Sequence, residues 1–156
     1  MARDGAFDVQ HGSPQKMSAY SEISVVMSVH NGGSDLADTM NSILSQERVQ
    51  LEFIVVNDGS TDQTGQILDE YMRRDNRVRV IHQENTGLTR ALIRGCAAAT
   101  GEFIARQDAG DRSLPGRLRL QADTLAAKLR DRAEAHRRIV IPTKARLQIS
   151  TFDRRG

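Results

Sequence analysis

The sequence predicts an α/β domain of three layers, in which helices cover both faces of a mostly parallel sheet. Short apolar runs rich in β-branched residues alternate with segments whose apolar residues recur at helical spacing. The loops between these segments are short and contain Gly, Asn, Asp or Ser. Alternation of this kind builds βαβ units around a parallel sheet. The 156 residues are enough for one such domain.

The first half of the chain contains two predicted strands, at 23–29 and 51–56, which are mostly apolar and rich in β-branched residues, the pattern of strands buried on both faces. The helix between them carries an apolar stripe made of Leu36, Met40, Ile43 and Leu44. After the second strand, Ser60 is placed to cap the next helix, and Gln63 to complete a capping box. The inner face of that helix is marked by Ile67, Leu68, Tyr71 and Met72.

The second half repeats the pattern, with strands predicted at 78–81 and 103–105 and a helix between them at 88–99. Gly101 follows this helix, where glycine can adopt the left-handed capping conformation. Pro115 suits the first turn of a last helix. That helix has an apolar stripe made of Leu118, Ala122, Leu125 and Leu129.

Composition excludes several classes of protein. Nine of the 22 Lys and Arg residues, but only three of the 20 acidic residues, lie at 128–156, so the body of the chain is acidic on balance. Together with the absence of Trp, this argues against nucleic acid as a partner. A single cysteine excludes an internal disulfide framework and suits the cytoplasm. No apolar run approaches the roughly 20 residues of a membrane span.

The chain is therefore expected to have three parts. Residues 1–21 are polar and without periodicity, which predicts a flexible leader. Residues 22–127 form the α/β domain, and residues 128–156 form a basic tail. We expect this tail to be a solvated end that contains one short strand near Pro142. Its charge also suits peripheral contact with an anionic membrane surface at the cytoplasmic face.

Polar residues stand where the predicted strands end, and ligands of parallel sheets bind at that edge. They are His30 with Asn31, Asn57 with Asp58, His82, and Asp108. Asp58 can hold a ligand or simply belong to a turn. Asp108 and Asp111 can share Mg²⁺ or Mn²⁺ with a diphosphate, or belong to a polar loop before a helix.

Three residues of the third helix need an interpretation. Arg90 and Arg94 lie one turn apart, and both are within reach of a diphosphate or of solvent. We favour solvent for Arg94 and keep Arg90 as a candidate ligand. Cys96 lies on the apolar side of the helix, which predicts a packing role rather than a nucleophile.

Five segments, in this order and spacing, resemble the N-terminal half of a family 2 glycosyltransferase with the GT-A fold. They are ISVVMSVHN at 23–31, FIVVNDGSTD at 53–62, NTGL at 85–88, TGEFI at 100–104, and DAGD at 108–111 with LPGRL at 114–118. The resemblance covers about residues 23–127. It implies a Rossmann-like nucleotide-binding half and the transfer of a sugar from a nucleotide diphosphate sugar to an acceptor hydroxyl.

The resemblance also assigns roles to the residues at the strand ends. Val29, His30, Asn31 and Asp58 would hold the base and ribose, and Asp108 the ribose or a metal-bound diphosphate. Arg90 is added as a donor-binding residue, and Asp111 joins Asp108 as a ligand of Mg²⁺ or Mn²⁺. The sequence departs from the family pattern at Ser28, His30, Ile93 and Gly110. Gly110 replaces the usual middle carboxylate, which weakens the expected metal set.

The family's acceptor-binding half, with its general-base carboxylate, should follow residue 127, but residues 128–156 match none of it. We therefore expect a truncated or rearranged chain with no assignable catalytic base. Two functions stay open. The chain is a glycosyltransferase acting on a glycan, lipid or protein acceptor, or a non-catalytic nucleotide-sugar-binding fragment. Two other classes are disfavoured. A receiver domain needs an acidic pair after the first strand, which this chain lacks. A Rossmann dehydrogenase needs a third spaced glycine in the turn after that strand, which is also absent.

Overall fold

A computed structural model describes residues 22–130, 138–143 and 146–151. Its elements in chain order are β1 (Glu22–Val29), α1 (Leu36–Leu44), β2 (Gln50–Asp58), α2 (Thr64–Arg74), β3 (Val78–Gln83), α3 (Leu88–Ala98), β4 (Phe103–Asp108), α4 (Arg117–Arg130), β5 (Arg138–Thr143) and β6 (Arg146–Thr151). The predicted leader at 1–21 lies outside the described residues. Within the described part of the chain, no helix is both long and apolar enough to cross a membrane.

The sheet has six strands in the order β3-β2-β1-β4-β5-β6, and β6 is the antiparallel member at its edge. The predicted α/β fold with a mostly parallel sheet is therefore confirmed. The chain first adds strands on one side of β1 and then crosses to the other side with β4. A reversal of this kind opens a crevice at the carboxyl ends of the strands. The register places Val29 beside Asn57 and Ser28 beside Asp108 at that edge.

Two apolar clusters, one on each face of the sheet, produce the three layers. The larger cluster joins β1, β2 and β4 to α1, α2 and α4, with Phe53 and Met40 fully buried. The smaller cluster packs α3 against Val26 and Ile54. Cys96 belongs to this second cluster, and burial raises the pKa of its thiol. The predicted packing role of Cys96 is confirmed.

The predicted capping box before α2 is wrong. The helix begins at Thr64, four residues after Ser60, and the Asp62 carboxylate accepts the Thr64 N–H at 2.9 Å. The Ser60 hydroxyl instead accepts the N–H of Asn31 at 2.9 Å. The Ser60 hydroxyl is therefore used in a tertiary contact with the loop after β1, and not as the helix cap that local spacing predicts.

The predicted roles of Gly101 and Pro115 also need correction. Gly101 does not have a positive φ, but a Cβ there would lie 2.7 Å from the backbone nitrogen of Ser24. Its small size, and not left-handed backbone, is what the position requires. Pro115 lies two residues before the first residue of α4, Arg117.

Two strands lie in the basic tail. β5 confirms the short strand predicted near Pro142, and it pairs with β4 in parallel. β6, at 146–151, was not predicted, since this stretch was expected to be a solvated end. The remaining tail residues at 131–137, 144–145 and 152–156 lie outside the described part of the chain.

A carboxylate at the amino end of the sheet joins its central strands. Glu52 Oε1 accepts hydrogen bonds from Ser24 Oγ at 2.6 Å and from the Thr100 N–H at 2.6 Å. Arg79 donates to Glu52 Oε2 at 3.1 Å. Burial by itself raises the pKa of Glu52, but the hydrogen bonds from Ser24, Thr100 and Arg79 outweigh it and hold the pKa at about 2.

We predict that Glu52→Gln destabilises the fold in a pH-dependent way. The folded pKa of about 2 lies below the ordinary 4.5, so the ionised carboxylate stabilises the fold fully above pH 4.5 and loses this effect as the pH falls toward 2. Since the side chain is only 19% exposed, the shift corresponds to about 3 kcal/mol at neutral pH. Urea unfolding of both proteins at pH 7 and pH 3 measures the difference.

Glu102→Gln is the matched control, because Glu102 is an exposed residue at the start of β4. It should change the free energy of unfolding by less than about 0.5 kcal/mol. A Glu52→Gln effect of equal size at both pH values would contradict the role given to the charge.

Candidate functional site

The loop after β1 is tied by hydrogen bonds to the loop after β2 and to the first residue of α2. The Asn31 N–H donates to Ser60 Oγ at 2.9 Å, and Asn31 Oδ1 accepts the Thr61 N–H at 2.8 Å. The Gly32 N–H donates to Thr64 Oγ1 at 2.8 Å. Asn31 has a φ of +51°, a conformation that asparagine tolerates better than most residues. Asn31, predicted as a ligand residue, therefore also connects two loops.

Asp58 ends β2 and is only 2% exposed. Its Oδ1 accepts the Thr86 N–H at 2.8 Å and Gln83 Nε2 at 2.7 Å, while its Oδ2 accepts the Gly87 N–H at 2.9 Å. Burial raises the pKa of Asp58, but these hydrogen bonds outweigh it and lower the pKa below its usual value. The ionised carboxylate thus holds in place the loop between β3 and α3.

His30 lies above the point where these loops meet. Its Nδ1 is 2.9 Å from the Asp58 carbonyl oxygen and 3.1 Å from Asn85 Nδ2, and the side chain is exposed. Gly59 allows the loop after β2 to lie against Asn85, because a Cβ at Gly59 would be 2.5 Å from the Asn85 backbone nitrogen. Val29, directly before His30, is buried and offers a ligand only its backbone.

A series of hydrogen bonds from Asn57 through His82 to Asp69 also supports the loop after β2. Asn57 Oδ1 accepts the Ser60 N–H at 3.1 Å, and Asn57 Nδ2 lies 3.1 Å from His82 Nδ1. His82 Nε2 is 3.0 Å from the Asp69 carboxylate. Since the amide donates to Nδ1, the proton of His82 sits on Nε2 and points to Asp69. His82 therefore acts on the loop through Asn57.

The turn at 108–111 explains the glycine in its acidic motif. The Asp111 N–H donates to the Asp108 carbonyl oxygen at 3.2 Å, and Gly110, third in the turn, has a φ of +90°. A positive φ at this position is typical of a type II turn, which favours glycine. The Gly110 N–H also donates to Thr39 Oγ1 at 3.0 Å, which anchors the turn to α1.

The two carboxylates of this turn are exposed, and one is ion-paired. Arg106 donates to Asp108 Oδ1 from Nη2 at 2.6 Å and from Nε at 2.8 Å. Among the described residues, no three His, Cys, Asp or Glu side chains are grouped closely enough to hold a metal ion. Asp108 and Asp111 would thus supply two oxygen ligands, and a hard divalent cation would need phosphate and water oxygens for the rest.

A cavity of about 560 Å³ opens beside this turn, between the end of β4 and the start of α4. Its lining includes both carboxylates, three arginines and an apolar rim: Asp108, Asp111, Arg106, Arg112, Arg117 and Leu120. Arg112 is paired with Asp38, as Arg106 is with Asp108. Burial lowers the pKa of Arg117, and the nearby Asp111 charge partly offsets this.

The arginines of α3 are placed differently from each other. Arg90 is exposed on the first turn and makes no hydrogen bond or ion pair with the described part of the chain. Arg94, interpreted as a solvated residue, is exposed but donates to Gln83 Oε1 at 3.2 Å. It therefore touches the group that holds Asp58.

Several partners of the strand-end residues have no role that the sequence predicts. Gln83, Asn85 and Thr86 surround Asp58 and His30, and Thr39 and Arg117 flank the turn at 108–111. The motifs at 85–88 and 114–118 indicate that these segments matter. They do not indicate which groups each side chain contacts.

Comparison with known proteins places these features in one family. The family model described as "Glycosyl transferase family 2" matches residues 24–145, a range that extends past residue 127. Glycosyltransferase GlyG of Streptococcus pneumoniae is 46% identical over 90 residues, which are 57% of this chain and 30% of that protein. The putative glycosyltransferase EpsE of Bacillus subtilis is 33% identical over 142 residues, 90% of this chain and 48% of that protein.

Solved structures show the same fold. Residues 1–349 of Staphylococcus aureus TarS superpose with a TM-score of 0.62 at 27% identity, over 68% of this chain and 32% of that one. The same TarS fragment is also known in complex with UDP-GlcNAc. The chain spans less than half the length of each of these relatives.

We predict that Asp58→Asn lowers the free energy of unfolding by about 2–3 kcal/mol, because an amide NH₂ would replace an acceptor of the Thr86 and Gly87 N–H groups. Urea unfolding gives the loss of stability, and amide hydrogen exchange at Gly87 should become faster. Asp123→Asn, an exposed change on α4, should alter stability by less than about 0.5 kcal/mol. Unchanged exchange at Gly87 in Asp58→Asn would contradict the role of Asp58 in holding this loop.

Proposed function

We propose that this chain, which belongs to glycosyl transferase family 2, binds a nucleotide diphosphate sugar at the carboxyl edge of its sheet for transfer to an acceptor hydroxyl. The observation that carries the proposal is the arrangement of that edge. Rigid loops held by Asp58 stand on one side of β1, and exposed carboxylates stand on the other. The UDP-GlcNAc complex of TarS supports the same class of donor.

The nucleoside is assigned to the ends of β1, β2 and β3. His30 and Asn31 are exposed there, and the backbone at Val29 completes the floor. Asp58 acts mainly through the loop it holds, since both its oxygens already accept hydrogen bonds from that loop. Arg90 adds a positive charge at the amino end of α3, where helix N–H groups also favour anions.

The diphosphate is assigned to the end of β4. The ends of β2 and β4 are two strand spacings apart, about 10 Å, which suits the reach from a nucleoside to its diphosphate. Asp108 and Asp111 would hold Mg²⁺ or Mn²⁺ together with the diphosphate oxygens. When bound, the ion neutralises the charge that develops on the leaving nucleoside diphosphate. Arg106 competes for Asp108 Oδ1 and keeps that carboxylate in place beforehand.

Transfer also requires a base that removes the proton of the acceptor hydroxyl as this oxygen attacks the sugar. Asp58 is taken up by the β3–α3 loop, and Asp108 and Asp111 are assigned to the diphosphate, so we place the base outside residues 22–127. The single cysteine suits a cytoplasmic reaction. A second function, nucleotide-sugar binding without catalysis, is favoured by the same lack of an assignable base.

We predict that the protein binds UDP in the presence of Mn²⁺ and that Asp108→Asn weakens this binding at least about tenfold, because one metal ligand is lost. Calorimetric titration with UDP, and with GDP in parallel, measures the affinity and the base preference. Asp123→Asn, which removes an exposed carboxylate on α4, should bind UDP like the parent. Equal affinity of Asp108→Asn and the parent would refute the diphosphate assignment.

The two functions are separated by turnover. Incubation with radiolabelled UDP-GlcNAc and Mn²⁺ should release UDP if the chain is an enzyme. Retained binding without hydrolysis or transfer would leave the non-catalytic function.

A further inference from the structure

We propose that Gln107 is a positioning residue of the proposed diphosphate site, and that its amide sets the spacing of the Asp108 and Asp111 carboxylates before a metal ion binds. The proposal rests on the proposed function and deepens it, because it identifies what allows two carboxylates to serve one ion. Gln107 directly precedes Asp108 at the end of β4 and is only 3% exposed. Its effect on the ion is indirect, through the main chain of the turn at 108–111.

The side-chain amide of Gln107 joins both ends of this turn. Its Nε2 donates to the Asp108 carbonyl oxygen at 3.2 Å and to the Asp111 carbonyl oxygen at 2.8 Å. An amide NH₂ group has two protons, so each carbonyl oxygen receives one of them. The Gln107 Oε1 atom accepts the Ser113 hydroxyl at 3.0 Å, which fixes the end of the amide that carries the donors. These hydrogen bonds hold the first and last residues of the turn at one separation.

Burial makes this arrangement stiff. Alternation along β4 places Gln107 on the same face as Phe103 and Ala105, which belong to the larger apolar cluster. A desolvated amide keeps its partners, because water cannot replace the hydrogen bonds that it would lose there. The carboxylates of Asp108 and Asp111 are exposed, so the main chain beneath them, and not burial, has to fix their separation.

A metal site with few protein ligands depends strongly on the placement of each one. Mg²⁺ requires near-ideal octahedral geometry, with oxygens about 2.1 Å from the ion. Asp108 and Asp111 would supply two of these oxygens, and Gly110 between them has no side chain to add another. Groups that orient metal ligands commonly contribute about tenfold to a hundredfold to metal affinity. Gln107 is placed to have such an effect on this turn.

The test compares UDP binding with and without metal in the parent and in Gln107→Met, which nearly keeps the side-chain volume but removes the amide. Calorimetric titration in Mn²⁺ and in EDTA gives the factor by which metal strengthens UDP binding. We expect Gln107→Met to lower this factor at least about tenfold and to leave the affinity in EDTA within about twofold of the parent. An unchanged factor would overturn the proposal. Equal losses of affinity in Mn²⁺ and in EDTA would overturn it too.

Gln46→Met is the matched control. Gln46 is also buried, and its amide donates to the Leu114 carbonyl oxygen at 2.9 Å and accepts the Leu118 N–H at 3.3 Å. It therefore holds the start of α4 and not the turn. The two variants should melt within about 3 °C of each other, but Gln46→Met should keep the metal factor of the parent. A factor lowered equally in both would indicate general damage to packing and overturn the proposal.

Hydrogen exchange tests the turn in the ligand-free protein. Gln107→Met should speed amide exchange at Gly110 and Asp111 at least about tenfold, whereas Gln46→Met should not. In the parent, the side-chain NH₂ protons of Gln107 should exchange at least about tenfold more slowly than those of Gln66, which is exposed on α2. This comparison needs no variant. Equal rates for the two side chains would overturn the proposal.

Two outcomes separate this inference from the proposed function. A parent that does not bind UDP, or binds it equally in Mn²⁺ and in EDTA, would refute the proposed metal-bound diphosphate, and the exchange rates would still decide whether Gln107 fixes the turn. Metal-dependent UDP binding by the parent, with the same metal factor in Gln107→Met, would refute the inference alone.

Discussion

The geometry of the carboxyl edge depends on the buried carboxylate of Asp58. This group accepts the N–H groups of Thr86 and Gly87, which would otherwise lack partners at the start of α3. An ionised carboxylate this deep is tolerable only because its oxygens accept several hydrogen bonds. The same strand end connects through Asn57 to Ser60, whose hydroxyl holds Asn31. Three loops are thereby kept in one arrangement.

The end of β4 is held by interactions of a different kind. Its carboxylates are exposed, and Asp108 is balanced by Arg106 rather than by buried N–H groups. The turn itself is anchored to α1 through Gly110 and Thr39. Loops fixed by several hydrogen bonds therefore face the proposed nucleoside, whereas the proposed diphosphate meets exposed side chains that can exchange partners.

Much of the fold was predictable because its signals are local. Mostly apolar runs such as 51–56, in which Glu52 is the one polar residue, marked buried strands, and three of the four residues of the predicted α1 stripe, Leu36, Met40 and Ile43, are fully buried. Where prediction failed, a distant partner was responsible. Ser60 does not cap α2 because Asn31, 29 residues away, donates to its hydroxyl. Gly101 is required by the backbone of Ser24, and no local pattern shows that contact.

The sequence by itself determined that the chain alternates strands and helices, that polar residues end the strands, and that five motifs follow the order of one family. Only the tertiary structure decided which of those polar residues are enclosed and which remain open to a ligand. Asp58 is buried by a loop 28 residues away, and Arg117 is desolvated beside β4 without gaining a partner among the described residues. Hydrogen bonding and burial depend on neighbours in space, and neither spacing nor composition specifies those neighbours.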